Sequence, residues 1–281
     1  MRSRKLIFMP HQTQNKYAEI IWTITEEKYF KDEVAAPFHC FVRLISGEMK
    51  VMMADRSYHF HAGDTFLFPR NKVAMVIKQG NKGAPYKAVT VALSTERLKK
   101  YFTENNPRHI SPTASPVRVL DKHPILESFF LSLIPYYELQ DKLPDRLTFL
   151  KIEEAISILR TLDSQIDSVL ADFSEPGKIQ LAEFMEQHYM FNLPLEKFGY
   201  LTGRSLATFR RDFKKTFYTT PQRWLMQRRL ELAHYEIAEK KKQPVDVYLE
   251  VGFENLSHFS YAFKKHYGYA PSEVIAGHRA S

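Results

Sequence analysis

At 281 residues the chain is long enough for two domains of ordinary size. Its hydrophobic fraction of 44% excludes a disordered chain, and it has no apolar run of the length that would suggest a membrane-spanning helix. A net charge of +8 with a pI near 9.3 admits nucleic acid or another anionic partner without requiring one.

In chain order, the start "MRSRKLIFMPHQTQ" is basic but lacks the sustained apolar stretch of a secretory leader, so a cytoplasmic protein is expected. The next ~80 residues read as short strands. "YAEIIWTIT", "FHCFVRLISG", "EMKVMMAD", "RSYHFHAGD", "TFLFPR", "KVAMVIKQ" and "YKAVTVALS" are rich in β-branched and aromatic residues, with Gly, Asp, Asn and Pro between them. Even spacing of this kind predicts a sandwich or small barrel. The single cysteine, Cys40, rules out an internal disulfide and is expected to be a small buried apolar residue.

Helical periodicity begins at "STERLKKYFTENN", behind a Ser/Thr cap signal. A Pro/Ser-rich loop over residues 107–116 follows. Two helices are then expected in "HPILESFFLSLIPYYELQ" and "LPDRLTFLKIEEAISILRTL", joined near residues 141–144. Their wide apolar faces predict a core or dimer contact. "DFSEPGK" is polar, carries Pro-Gly and separates two helical patterns, which makes it the expected domain boundary. The reading is therefore α+β with two domains. A β-domain covers residues 1–120, a helical dimerisation segment 121–173, and an all-α domain 177–281.

The last domain contains a repeat. Shifted by fifty, residues 194–221 match 244–271 at seven positions: Pro194/Pro244, Leu206/Leu256, Phe209/Phe259, Phe213/Phe263, Lys214/Lys264, Lys215/Lys265 and Pro221/Pro271. The same shift pairs Leu195 with Val245, Phe198 with Tyr248 and Leu201 with Val251. An internal duplication is expected. Each copy predicts a short helix (195–200, 245–250), a turn near Gly203 or Gly252, and a second helix (205–217, 255–267). Residues 206, 209, 213 and 217, and 256, 259, 263 and 267, share one helix face and are expected as core.

The opposite face carries Ser205, Thr208, Arg210, Arg211 and Lys214 in the first copy, and Ser257, His258, Ser260, Tyr261 and Lys264 in the second. A polar second helix behind a tight turn is the arrangement that enters a DNA major groove, while paired lysines suit phosphates. Between the copies, residues 221–239 predict one helix of about 28 Å, against ~34 Å between successive major-groove faces. Arg223, Arg228 and Arg229 on it are expected to add phosphate contacts, and Lys240, Lys241 and Lys242 to form a solvated loop.

"EVGFENLSHFSYAFKKHYGYAPSEV" and "LPLEKFGYLTGRSLATFRRDFKKTFYTTPQRWLMQRRLELA" resemble the two helix-turn-helix signatures and linker helix of the AraC/XylS family of transcription regulators. The resemblance covers about residues 178–275. It implies two helix-turn-helix units, about 194–217 and 244–267, on double-stranded DNA, and a regulator expected to act as an activator with RNA polymerase. It implies Ala207, Arg210 and Arg211 facing bases in the first unit, and Ser257, His258 and Tyr261 in the second. Gly199 and Tyr248 stand where the family usually has Ala, and Tyr218 where it often has Gly.

The N-terminal strands resemble the cupin-like sensor domains fused to this module. That implies control by a small-molecule effector or a regulatory protein, and a homodimer. The competing reading, a metal-dependent cupin-type enzyme, needs converging His and Glu ligands. His59 and His61 share a strand face, but no Glu follows at the right distance and Val73 takes the place of the later His. No metal, cofactor or catalytic residue is therefore expected. A zinc-cysteine DNA-repair relative lacks its cysteine cluster, and no nucleophile elbow, phosphate loop or H-E-x-x-H motif occurs.

Overall fold

The computed structural model describes residues 19–25, 30–81, 83–108, 117–138 and 144–277. The basic start of the chain, residues 109–116 of the Pro/Ser-rich loop and residues 141–143 of the inter-helix loop lie outside the described residues. The chain divides into two compact units, Met1–Ser174 and Glu175–Ser281.

The first unit holds nine strands among the described residues: β1 (Ile20–Thr25), β2 (Phe30–Val34), β3 (His39–Ser46), β4 (Glu48–Met52), β5 (Ser57–His61), β6 (Thr65–Phe68), β7 (Ala74–Gln79), β8 (Tyr86–Leu93) and β9 (Arg118–Leu120). They form a five-stranded sheet in the order β1-β8-β3-β6-β9 and a four-stranded sheet in the order β2-β7-β4-β5. All paired strands are antiparallel. Side chains alternate across each strand, so Cys40, Val42 and Leu44 of β3 point one way, into a shared core with Phe66, Val51, Phe60 and Val76. Phe60 and Phe66 stack there at 3.9 Å between ring centroids. Phe41 points the other way, with Leu67, Val89 and Val91. Strand β3 is buried on both faces, which is why its sequence reads as a nearly continuous apolar run.

Helices cover that second face. They are α1 (Thr95–Glu104), α2 (Pro124–Glu138), α3 (Asp145–Leu162) and the short α4 (Asp167–Leu170). Ser94 caps α1 by accepting the Arg97 N–H, as the Ser/Thr signal implied. Phe129 and Phe130 of α2 meet Phe41 at 6.0 and 4.9 Å between centroids, and Ile152, Ile156 and Leu159 of α3 join the same cluster. The segment expected as a dimerisation element thus packs one face of each helix on the sheet. Leu131 and Ile134 of α2, and Leu147 and Leu150 of α3, are left exposed.

His39 lies at the start of β3 with Nδ1 accepting the Arg70 N–H at 3.2 Å. Burial, helped by the nearby Arg70 charge, pushes its imidazole down to about 3. An unfolded histidine takes up its proton near pH 6.5. Its contribution to stability is therefore full above pH 6.5 and is lost as pH falls toward 3. Urea titrations of the full chain should show a falling midpoint across that window. His39→Asn, which keeps an acceptor for the Arg70 N–H, should flatten the fall.

The second unit is helical: α5 (Leu181–His188), α6 (Leu195–Leu201), α7 (Leu206–Phe217), α8 (Pro221–Ala238), α9 (Pro244–Glu250), α10 (Leu256–Tyr267) and α11 (Pro271–Gly277). Helix α8 has Pro221 in its first turn behind the Thr220 cap and spans 18 residues, about 27 Å. Its N-terminal part, through Trp224 and Leu225, packs with Leu181, Met185, Phe198, Phe209 and Phe213. Its C-terminal part, through Leu230, Ala233 and Ile237, packs with Val247, Val251, Phe259, Phe263 and Val274. One rod therefore carries two separate cores.

Candidate nucleic-acid interface

Each core presents a helix-turn-helix. In the first, α6 ends at a turn through Gly203, whose φ of +65° lies in the left-handed region. A Cβ there would come within 2.6 Å of the Gly177 and Lys178 backbone, so only glycine fits. Ser205 then caps α7, accepting the Thr208 N–H at 3.3 Å and bonding the Thr208 hydroxyl at 3.0 Å. In the second, Gly252 takes the turn at φ +89°, and Asn255 caps α10 by accepting the His258 N–H at 2.7 Å.

The caps correct the repeat register. Pro194 is the N-cap of α6, whereas Pro244 is the first residue inside α9. Gly203 and Gly252 are 49 apart, and the caps Ser205 and Asn255 are 50 apart. The second turn thus holds one extra residue. In the first helices Phe198 corresponds to Val247 and Thr202 to Val251, all fully buried, not to residues fifty further on. Tyr248 then corresponds to Gly199, where a Cβ would sit 3.0 Å from the Arg204 carbonyl oxygen.

Phe209 and Phe213, and Phe259 and Phe263, are fully buried. Leu206, Phe217 and Tyr267 are half-buried. Leu256 departs from the expected core face: it is 38% exposed. On the outer face Ser205, Ala207, Arg210, Arg211 and Lys214 are exposed and Thr208 is half-buried. Ser257, His258, Tyr261 and Lys264 are exposed on α10, Tyr261 at 68%, while Ser260 is half-buried. The structure brings each set onto one helix. The Ser205 and Thr208 hydroxyls are engaged with each other at the cap. The lysine pairs 214/215 and 264/265 lie in the last turns, where a helix C-terminus also favours positive charge.

Of the other basic residues of this domain, most are engaged within the protein. Arg223 is exposed. Arg228, expected at a phosphate, instead pairs with Glu186 and, at 2.8 Å, with Glu231. Arg229, also expected at a phosphate, is turned inward onto backbone carbonyls. The loop lysines are likewise engaged: Lys240 and Lys242 pair with the buried Glu236 at 2.7 and 2.8 Å, and Lys242 with Glu250 at 2.7 Å. Arg204, beside the first turn, holds Asp212 at 3.1 Å and the Ile179 and Thr202 carbonyls.

Helices α7 and α10 end alike, with a left-handed residue that donates its N–H to a carbonyl four residues back. In α10 it is Gly268, and in α7 it is Tyr218, at φ +56° and 90% exposed. A β-carbon in that conformation is strained. Tyr218→Gly should therefore stabilise the protein by about 0.5–1 kcal/mol, the strain relief being partly offset by the freer unfolded chain. A rise in melting temperature checks it.

Elsewhere, His59 and His61 on β5 are exposed and point away from the core that holds Phe60, while His39 is buried. Among the described residues no group of three or more His, Cys, Asp or Glu could hold a metal ion. Among them also, no helix is long and apolar enough to cross a membrane.

Residues 201–276 match the family described as "Helix-turn-helix domain", and residues 39–171 match the "ExsA N-terminal regulatory domain". The chain is 26% identical over 239 residues to the virulence regulon transcriptional activator VirF of Yersinia enterocolitica, covering 82% of this chain and 86% of that one. It is 30% identical over 136 residues to the HTH-type transcriptional regulator ExsA of Pseudomonas aeruginosa, 48% of this chain and 49% of that one. The crystal structure of an apo ToxT single-site variant from Vibrio cholerae aligns over 92% of this chain and 97% of its own at 12% identity, with a TM-score of 0.45.

Proposed function

Because the chain belongs to the AraC/XylS family of transcription regulators, we propose that its two helix-turn-helix units read successive major grooves on one face of a duplex and that the protein activates transcription. It is a DNA-binding regulator and not an enzyme. The observation that carries the groove reading is the pair α7 and α10. Each is capped, each buries its Phe pair, each turns a polar face outward, and both stand on the single rod α8. Arg210 and Arg211 are the long donors for bidentate base contact in the first helix-turn-helix, and His258 and Tyr261 each offer a single hydrogen bond to a base edge in the second. Lys214, Lys264 and Arg223 supply phosphate contacts, which position the protein without reading sequence.

Activation is supported by the relative named a virulence regulon transcriptional activator. An activator works beside the DNA in the cytoplasm and contacts RNA polymerase. Dimerisation through the exposed Leu131, Ile134, Leu147 and Leu150 would double the site, and the N-terminal unit would receive the signal from a small molecule or a regulatory protein.

The test is selection of binding sites from a random duplex pool by the purified full-length chain at near-physiological salt. Enrichment of two short elements about ten base pairs apart supports the reading. Binding that merely fades as salt rises, in the full chain and in a fragment of residues 175–281 alike, would sink it.

A further inference from the structure

The buried residues of the two helix-turn-helix cores are separate sets, so the packing of one does not dictate the placement of the other. Besides the continuous helix α8, a side chain ties them. Arg229 sits on α8 between Leu225 of the first core and Leu230 of the second. Its Nε donates to the Tyr189 carbonyl at 3.0 Å and its Nη2 to the Phe191 carbonyl at 2.9 Å. Its Nη1 donates to Asn192 Oδ1 at 3.3 Å and to the Gly252 carbonyl at 3.2 Å. The first three acceptors lie between α5 and α6, which pack in the first core, and the fourth lies in the turn of the second helix-turn-helix. Asn192 closes a parallel bridge, donating Nδ2 to Glu254 Oε1 at 2.8 Å.

A guanidinium is a rigid fork, so bonding to both units at once fixes an angle as well as a distance. The turn accepts it closely: a Cβ on Gly252 would lie 2.9 Å from Arg229 Nε and 2.7 Å from the Met190 carbonyl oxygen.

We propose that Arg229, assisted by Asn192 and Glu254, is a positioning lock that fixes α7 relative to α10 and thereby sets the spacing of the two DNA elements the protein accepts. The spacing role rests on the adjacent-groove reading above. One inserted base pair shifts the second element by about 3.4 Å and turns it by about a tenth of a turn. A rigid pair of helices rejects that change, and a loosened pair follows it.

Two measurements on the full-length chain test the lock. The first uses no DNA. Spin labels are placed at Lys215→Cys and Lys265→Cys, both exposed, and the labelled chain is diluted with unlabelled chain. Cys40 is buried. The distance distribution between labels should be narrow with Arg229 present and about twice as broad in Arg229→Lys, with Asn192→Ala between them. An unchanged width at unchanged helix content overturns the lock.

The second measurement compares the selected bipartite site with versions carrying one or two extra base pairs. The parent chain should lose about tenfold or more in affinity on one insertion, and Arg229→Lys less than about threefold, with binding to a single element nearly equal in both. Equal spacing dependence in both chains overturns the spacing role. A uniform loss on single and bipartite sites means that Arg229 only supports folding, and also overturns it. If the parent chain ignores spacing while the label distances still broaden in the variant, the adjacent-groove reading fails and the lock between units stands without a role in spacing.

Discussion

Phe213→Ala is expected to destabilise the first helix-turn-helix unit by about 3–5 kcal/mol, and Phe263→Ala the second by a similar amount. Both rings are fully buried. Phe213 packs against Phe217 at 4.4 Å and Trp224 at 5.7 Å between centroids, and Phe263 against Tyr267 at 4.7 Å and His234 at 6.1 Å. Truncation leaves a void whose walls are helices already held elsewhere, so little collapse can offset it. Such a loss is a large part of the total stability of an ordinary domain, about 5–15 kcal/mol. Because the two cores are separate sets, amide exchange in Phe213→Ala should quicken through α6 and α7 while α9 and α10 stay protected, and Phe263→Ala should do the reverse. Equal quickening in both units would mean that they unfold as one body.

Arg210→Ala and Arg211→Ala are each expected to lower affinity for the preferred site by about 1–3 kcal/mol, roughly 5- to 150-fold, while hardly changing binding to unrelated duplex. Both side chains are exposed on α7. Asp212 lies 3.6 Å from Arg211 but is already held by Arg204 at 3.1 Å, so it competes only weakly with a base. Lys214→Ala, by contrast, should weaken all sequences alike and reduce the salt slope by about one. Titrations at fixed salt on the preferred site and on single-base variants separate the two behaviours. A sequence-independent loss from both arginine variants would place them on phosphates.

Much of this is legible in the chain. The spacing of Phe209, Phe213, Phe259 and Phe263 reports burial directly, because periodicity and solvent exclusion are the same fact seen twice, whereas the alternation in Val89-Thr90-Val91-Ala92-Leu93 separates two cores instead of core from solvent, Ala92 being buried on the opposite face of β8. Strand β2 is not legible: Lys31-Asp32-Glu33 fill its middle, and only Phe30 and Val34 mark the apolar face. Asp32 is tolerated there beside Lys78, with burial raising its carboxyl and the lysine charge opposing that rise. Strand β9 and helix α4 are too short to show a period.

The register slip in the first helices is hidden because the identities Leu206/Leu256 through Pro221/Pro271 all follow the turn, where a shift of fifty holds. Before the turn the extra residue in Gly252-Phe253-Glu254-Asn255 moves every pair by one. Arg229 misleads for a different reason. A basic residue on a helix looks the same in sequence whether it meets phosphate or carbonyls arriving from Tyr189, Phe191 and Gly252. Only the positive-φ turn at Gly252 hints that something approaches closely there.

The measurement closest to the central claim is a guanine-methylation and hydroxyl-radical footprint of the full-length chain on its selected site. Protection in two successive major grooves on one face, about 10–10.5 base pairs apart centre to centre, is the expected result. Protection confined to one groove, with the neighbouring groove open to methylation, would contradict the claim that both α7 and α10 read DNA.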